Sequence, residues 1–260
     1  MVRALSILVP CLLVAGCGQY GRPDPYDLDF EIPRSTEFAQ SLSAYDLYQE
    51  PLAALQPAER AIPYELSSQL FTDYAFKQRL MVIPEGSAVS VQNGTTMDFP
   101  EGTILVKTFY YPADMREPDA SLNVIETRLL VKTDGVWNVA TYLWNEQQTD
   151  ANLLLTGTTT EMSWLDDAGQ SWTTDYVVPH EGECVTCHQV DGESSFIGPT
   201  IRNLNRTVAR NGGDLNQLDY LRSEGVLDSE VLAAAPTIPD YRDPETSLER
   251  RARAYLDINC

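Results

Sequence analysis

Cys184-Val185-Thr186-Cys187-His188 constrains this chain more than any other stretch. Two thiols three residues apart, with an imidazole directly after them, have the spacing of a covalent c-type haem attachment site. In that chemistry the thiols add to the haem vinyl groups and the adjacent ring reaches the iron as its proximal ligand. Five residues can arise by chance, so compartment, neighbouring sequence and a second axial ligand all bear on the expectation.

Met1-Val2-Arg3 precedes an almost unbroken apolar run over residues 4–15. One positive side chain followed by a short apolar stretch reads as a secretory signal, too short for an ordinary membrane span. Val14-Ala15-Gly16-Cys17 then resembles the lipobox of a bacterial lipoprotein. Cleavage before Cys17 would remove residues 1–16 and leave that cysteine to carry lipid. Gly18 stands where an aspartate would argue for inner-membrane retention, so the expected location is the periplasmic side of the envelope, anchored to the outer membrane. A cleaved signal with an incidental cysteine is the plainer alternative. Of the 5 cysteines, Cys11 leaves with the signal and Cys17 is lipidated, so Cys184, Cys187 and Cys260 remain. They are too few for a disulfide-rich scaffold, and export suits haem c, which is attached outside the cytoplasm.

Charge narrows the partners. With 38 acidic against 18 basic side chains, the formal net charge is -20. That balance repels nucleic acid and could steer a basic redox protein of the periplasm or envelope, although acidity alone more often serves simple solubility.

Residues 17–36, interrupted by Gly21, Pro23, Pro25 and Pro33, read as a tether. Residues 37–178 read as a helix-led β domain. Phe38, Leu42, Tyr45, Leu47, Leu52 and Leu55 suit short helices, and β-prone runs then occupy 80–83, 88–92, 103–111, 124–132, 136–144, 153–155, 158–164 and 172–178. Asn93-Gly94 and Asp134-Gly135 are two-residue turn signals between such runs. The pattern predicts an antiparallel β-sandwich or partly closed barrel. Residues 179–260 read as a mainly helical, cytochrome c-like haem domain, incomplete at its C-terminus. Helix candidates there are 215–221, 229–235 and a helix opened by Asp243-Pro244, with Leu248, Ala252, Tyr255 and Leu256 on one face.

Two rivals compete for the paired cysteines. A redox dithiol usually opens a helix in an α/β fold, and no βαβ unit is visible. Structural zinc normally needs four protein ligands, so His180 or Cys260 would have to join Cys184, Cys187 and His188. Ile197-Gly198-Pro199-Thr200 resembles the Gly-Pro segment of class I cytochromes c, in which the proline carbonyl accepts the imidazole N–H. Pro199 is the candidate for that role, against a plain turn. No methionine follows His188, so the sixth iron ligand is open between His180, Met162 and a residue beyond the chain. Leu256-Asp257-Ile258-Asn259-Cys260 resembles the opening of a second haem motif, against a free terminal cysteine.

Pro63-Tyr64-Glu65-Leu66, Leu70-Phe71-Thr72-Asp73-Tyr74-Ala75, Lys107-Thr108-Phe109-Tyr110-Tyr111, Ile125-Glu126-Thr127-Arg128-Leu129, Trp144-Asn145-Glu146-Gln147 and the run from Cys184 through Arg202-Asn203-Leu204-Asn205 carry a wider likeness. Over about residues 40–260 the chain resembles a poorly characterised family of bacterial diheme c-type cytochromes with lipoprotein members. The resemblance implies two covalent haems and exported electron transfer, with Cys260 as the first thiol of the second motif. This chain carries one complete attachment site.

The expectation is therefore a periplasm-facing electron-transfer lipoprotein. The runner-up is a haem peroxidase or oxidoreductase acting on an organic substrate. A third class is an envelope carbohydrate- or protein-binding module using Trp137, Trp144, Trp164 and Trp172. Lys107 and Arg128 read as solvated or paired strand residues, with no spacing that identifies a general acid or base.

Overall fold

The computed structural model describes residues 37–180, 182–183, 188–190, 193–210, 212–228 and 235–259. Its centre is a six-stranded antiparallel sheet. In hydrogen-bonded order the strands are β1 (Ile62–Pro63), β2 (Phe76–Val82), β5 (Ile104–Pro112), β6 (Leu122–Thr133), β7 (Val136–Trp144) and β8 (Ala151–Leu154). Asp134 and Gly135 have φ of 54° and 77°, the left-handed values that a tight hairpin turn demands, and they join β6 directly to β7. Hairpins β3 (Ser90–Gln92) with β4 (Thr96–Asp98), and β9 (Thr158–Leu165) with β10 (Ser171–Val178), stand apart from the main sheet.

Alternation gives the sheet two unlike faces. On the first, Leu80, Val106, Leu129, Ala140 and Tyr142 are buried beneath the N-terminal segment, whose Leu42, Leu47, Leu52 and Leu55 cap them. Each buried leucine or valine among them contributes about 1.5–3 kcal/mol relative to exposure. The second face carries two separate apolar clusters. One joins Met81, Leu105, Leu130 and Trp137 to Phe99, Ile201, Leu204, Leu218 and Leu221. The other joins Phe109, Tyr111 and Ile125 to Trp164, Tyr176 and Val178 of the β9–β10 hairpin. That hairpin is held to the end of β5 by the Met115 N–H donating to the Leu165 carbonyl at 2.8 Å and the Leu165 N–H to the Ala113 carbonyl at 3.0 Å. A bulge opposite Phe109 and Tyr110 lets Ile125 and Glu126 both face this side.

The expected sandwich or partly closed barrel is not formed. β1 and β8 are the two edges of an open sheet, and the other described strands form separate two-stranded sheets. Two- and four-residue edge strands are too short to close a barrel, so loops and hairpins cover the faces instead.

The expected mainly helical, cytochrome c-like domain over residues 179–260 is overturned as well. The described residues there form hairpins β11 (Gln189–Val190) with β12 (Glu193–Ser194) and β13 (Thr207–Arg210) with β14 (Gly213–Asn216). They also form helices α1 (Ile201–Leu204), α2 (Gln217–Ser223) and α3 (Leu248–Asn259). Gly212, at φ +80°, supplies the turn that makes a hairpin of 207–216, which places Leu215 in a strand. Helix α2 begins only after Asn216, whose side chain accepts the Leu218 N–H at 2.9 Å. The candidate helix at 229–235 lies, but for Ala235, outside the described residues. Asp243 makes a local turn, accepting the Glu245 N–H at 2.9 Å and the Thr246 hydroxyl at 3.0 Å, so α3 starts four residues after Pro244. The anticipated apolar face of α3 is outside: Leu248 is 78% and Leu256 54% exposed, and Ala254 is the buried residue. Polar contacts dock this helix, among them the Arg202–Asp257 ion pair and Arg251 Nε donating to the Tyr241 carbonyl at 2.7 Å.

Two buried amides bind the segment 65–68 to the later helices. The Asn203 side chain accepts the Ser68 N–H at 2.9 Å and donates to the Ser68 carbonyl at 3.1 Å. Gln217 does the same for Glu65, accepting its N–H at 2.7 Å and donating to its carbonyl at 2.9 Å. Each imitates a strand partner and satisfies the backbone N–H and carbonyl of the residue it clasps.

Candidate functional site

The β11–β12 hairpin fixes His188. Pairing of the two strands brings Ser195 opposite it, so the Ser195 N–H donates to the His188 carbonyl at 2.7 Å. The Ser195 carbonyl lies 2.9 Å from His188 Nδ1. A carbonyl can only accept, so Nδ1 carries the proton and Nε2 keeps its lone pair, the tautomer of a metal-ligating imidazole. Burial holds the ring's pKa below the usual histidine value; the Ser195 contact opposes this, and the positive charges of Lys107 and Arg128 add to it. The neutral ring is therefore favoured, as coordination requires. Phe196, next along the chain, anchors the hairpin: its ring centroid is 4.8 Å from Phe99 and 5.6 Å from Trp137.

Pro199 does not supply the carbonyl at His188 Nδ1; Ser195 does, because hairpin pairing sets the geometry. Pro199 is buried in the turn entering α1, where the Gly198 carbonyl accepts the Thr200 N–H at 2.9 Å. A Cβ at Gly198 would lie 3.0 Å from a methyl of Leu66, which would have to give way by a few tenths of an ångström. His180 opens a local cap. Its Nδ1 accepts the Gly182 N–H at 2.9 Å, while its own N–H donates to Glu183 Oε2 at 2.8 Å. Met162 lies partly buried against the Trp164–Tyr176 cluster. Cys17, Cys184, Cys187 and Cys260 lie outside the described residues. Among the described residues no group of three or more His, Cys, Asp or Glu could hold a metal ion, and no helix is long and apolar enough to cross a membrane. Of the four tryptophans, Trp137, Trp144 and Trp164 are core residues, and Trp172 is 48% exposed.

Between the two apolar clusters on the second sheet face runs a polar band. Register places Arg79, Lys107, Arg128 and Thr141 side by side across β2, β5, β6 and β7. The adjacent row is Lys77, Phe109, Glu126 and Leu143. Three cations surround the Phe109 ring: Lys107 Nζ and Arg128 Cζ are each 4.7 Å from its centroid, and Lys77 Nζ is 5.9 Å away. Glu126 is fully buried. It receives Arg128 Nε at 2.8 Å and a second guanidinium nitrogen at 2.6 Å, and the Tyr176 hydroxyl donates to it at 2.7 Å. Burial beside that carboxylate pushes the Tyr176 hydroxyl far above its usual value.

The remaining cations lack a directly bonded carboxylate, although Asp73 acts on Lys77 and Glu65 on Arg79 through space. Among the described residues no carboxylate forms an ion pair with Lys77, Arg79 or Lys107. Arg79 is 5% exposed, and its guanidinium reaches Gln69 Oε1 at 3.4 Å. Burial, then repulsion by Arg79, Arg128 and Lys77, holds the Lys107 ammonium well below the ordinary lysine range despite Glu126. Burial and neighbouring positive charge bring Lys77 down to about 8. Thr141 ends the row with a buried hydroxyl that has no hydrogen-bond partner among the described residues. A cavity of about 510 Å³, lined by Tyr64, Glu65, Gln69, Lys77, Arg79 and Arg210 among others, opens along β2.

Arg128 is paired, as the sequence leads one to expect, whereas Lys107 has no ion-pairing carboxylate among the described residues and nothing in the linear sequence marks Arg79 or Lys77. The available signal for Lys107 and Arg128 was their phase: Lys107 sits between Leu105 and Phe109, and Arg128 two residues before Leu130, at inward positions of apolar strands. No protein-family model, curated protein or solved structure matches the chain.

Proposed function

We propose that this protein is a periplasm-facing c-type cytochrome lipoprotein that passes electrons through haem held at Cys184 and Cys187. The observation that carries the proposal is His188. It directly follows the paired thiols in sequence, and the hairpin after it presents a neutral imidazole with Nδ1 bonded to a carbonyl and Nε2 ready to donate. That is the donor chemistry a haem iron takes from a proximal histidine. When bound, haem supplies a reversible one-electron couple. The chain's own contribution is to hold the ring orientation through Ser195 and to disfavour protonation by burial. The apolar clusters on either side of the band supply surfaces from which water is excluded. Lipidation at Cys17 would keep the carrier at the outer membrane, and its acidic surface suits a basic redox partner.

The test is spectroelectrochemistry on protein produced with c-type maturation machinery. Electron transfer predicts a low-spin, six-coordinate spectrum and a reversible one-electron wave. A high-spin spectrum with rapid turnover of peroxide would reassign the protein to haem enzymology. Covalent haem persisting after both Cys184→Ala and Cys187→Ala would remove the attachment site from this position.

A further inference from the structure

We infer that Arg79 and Lys107, with Thr141 at the end of their row, bind carboxylate groups, and that these are the propionates of the covalently held haem. The inference presupposes the haem proposed above and adds which strands meet its charged edge.

Register assembles the row from four adjacent strands of the central sheet, so its order is set by backbone pairing. Charge then points to an anion. Lys77, Arg79, Lys107 and Arg128 share one sheet face with a single carboxylate, Glu126, which Arg128 and Tyr176 already engage. Arg79 is almost wholly buried with one long hydrogen bond, in a chain whose net charge is -20. A buried cation without an ion-pairing carboxylate is strongly unfavourable, and Glu65, which acts on Arg79 through space, is itself paired with Arg206 and Arg210. The orphaned hydroxyl of Thr141 is an independent sign of a missing polar partner at the same place. An anion in the row would also reverse the repulsion that depresses the Lys107 ammonium.

The location favours haem. The hairpin that carries His188 is anchored on this same sheet face, with the Phe196 ring 5.6 Å from that of Trp137 on β7, the strand that also carries Thr141. Apolar clusters flank the row on both sides. A porphyrin has an apolar body and one anionic edge, opposite the edge that carries the thioethers, and this face offers both kinds of surface. A soluble carboxylate would meet the same chemistry, so the experiment must separate the two sources.

Haem is labelled at its propionate carboxyls by feeding 5-aminolevulinate with carbon-13 at its own carboxyl. Infrared difference spectra are then recorded on matured wild-type protein, on Arg79→Gln and Lys107→Gln, and on the exposed control Arg253→Gln. The expected result is a shift of the labelled carboxylate bands in both row variants, a fall in reduction potential, restoration by Lys107→Arg, and no change in the control. Added succinate should leave the bands and the potential of wild-type protein unchanged. Labelled bands that stay fixed in both row variants overturn the inference, and saturable succinate binding lost in those variants would assign the row to a soluble carboxylate. Protein that matures without any haem defeats the cytochrome proposal as well, and is told apart by the absent Soret band before any variant is compared.

Discussion

Replacing Lys107 by methionine should stabilise the haem-free chain. Lys107 Nζ sits 4.7 Å from the Phe109 centroid, in a row with Arg79 and Arg128, and no carboxylate pairs with it among the described residues. Methionine has a similar volume and exchanges the cation–π contact with Phe109 for a sulfur–aromatic one, while removing desolvation and repulsion together. Exchanging poorly compensated buried charge for an apolar side chain typically stabilises by about 1–4 kcal/mol, and partial exposure of Lys107 places the expectation near the lower half of that range. The sign carries a pH signature. The folded-state value of Lys107 lies below its unfolded value, so the native state binds fewer protons between the two and wild-type stability rises with pH there. The advantage of Lys107→Met should therefore be largest near neutrality and shrink as the pH approaches the ordinary lysine value of about 10.4. Urea unfolding of chain expressed without haem maturation, at neutral and alkaline pH, measures both quantities. A variant less stable than wild type at neutral pH, or an advantage independent of pH, would refute the electrostatic account of the row.

Glu126→Gln should cost about 3 kcal/mol, the low end for a broken buried pair, because it removes the charge partner of the part-buried Arg128; the urea midpoint reports it. Asn203→Leu should cost about 2–4 kcal/mol by stranding the Ser68 N–H and carbonyl, with loss of thermal stability but little change in far-ultraviolet dichroism. Lys77, at about 8 when folded against 10.5 normally, should make stability rise with pH between those values. The full shift corresponds to about 3 kcal/mol, which solvent screening at a partly exposed side chain reduces to about 1 kcal/mol. Lys77→Met should flatten that part of the stability–pH curve by the same amount.

The hairpins were readable where local chemistry decides structure. Asp134-Gly135 and Asn93-Gly94 both adopt left-handed φ, as their short polar and glycine side chains allow. The sandwich failed because periodicity reports strands but not whether their edges meet, and β1 and β8 are too short to close. The helical haem domain failed for a different reason. The haem spacing invited a family-like architecture, whereas Thr207, Val208 and the Gly212 turn specify a hairpin that a helical expectation passed over. His188 was legible from its motif, but its Ser195 partner was not, since that pairing depends on the register of a two-residue hairpin. The basic row was the least legible part. Arg79, Lys107 and Arg128 are separated by tens of residues and become neighbours only through cross-strand register.

Intact-mass analysis under denaturing conditions, paired with a pyridine haemochrome spectrum of the matured protein, asks most directly whether Cys184 and Cys187 carry a cofactor. The account predicts the mass of one haem retained by this chain, thioether-type bands, and loss of both when the two cysteines are replaced. A colourless product at the mass of the bare, processed polypeptide would contradict it.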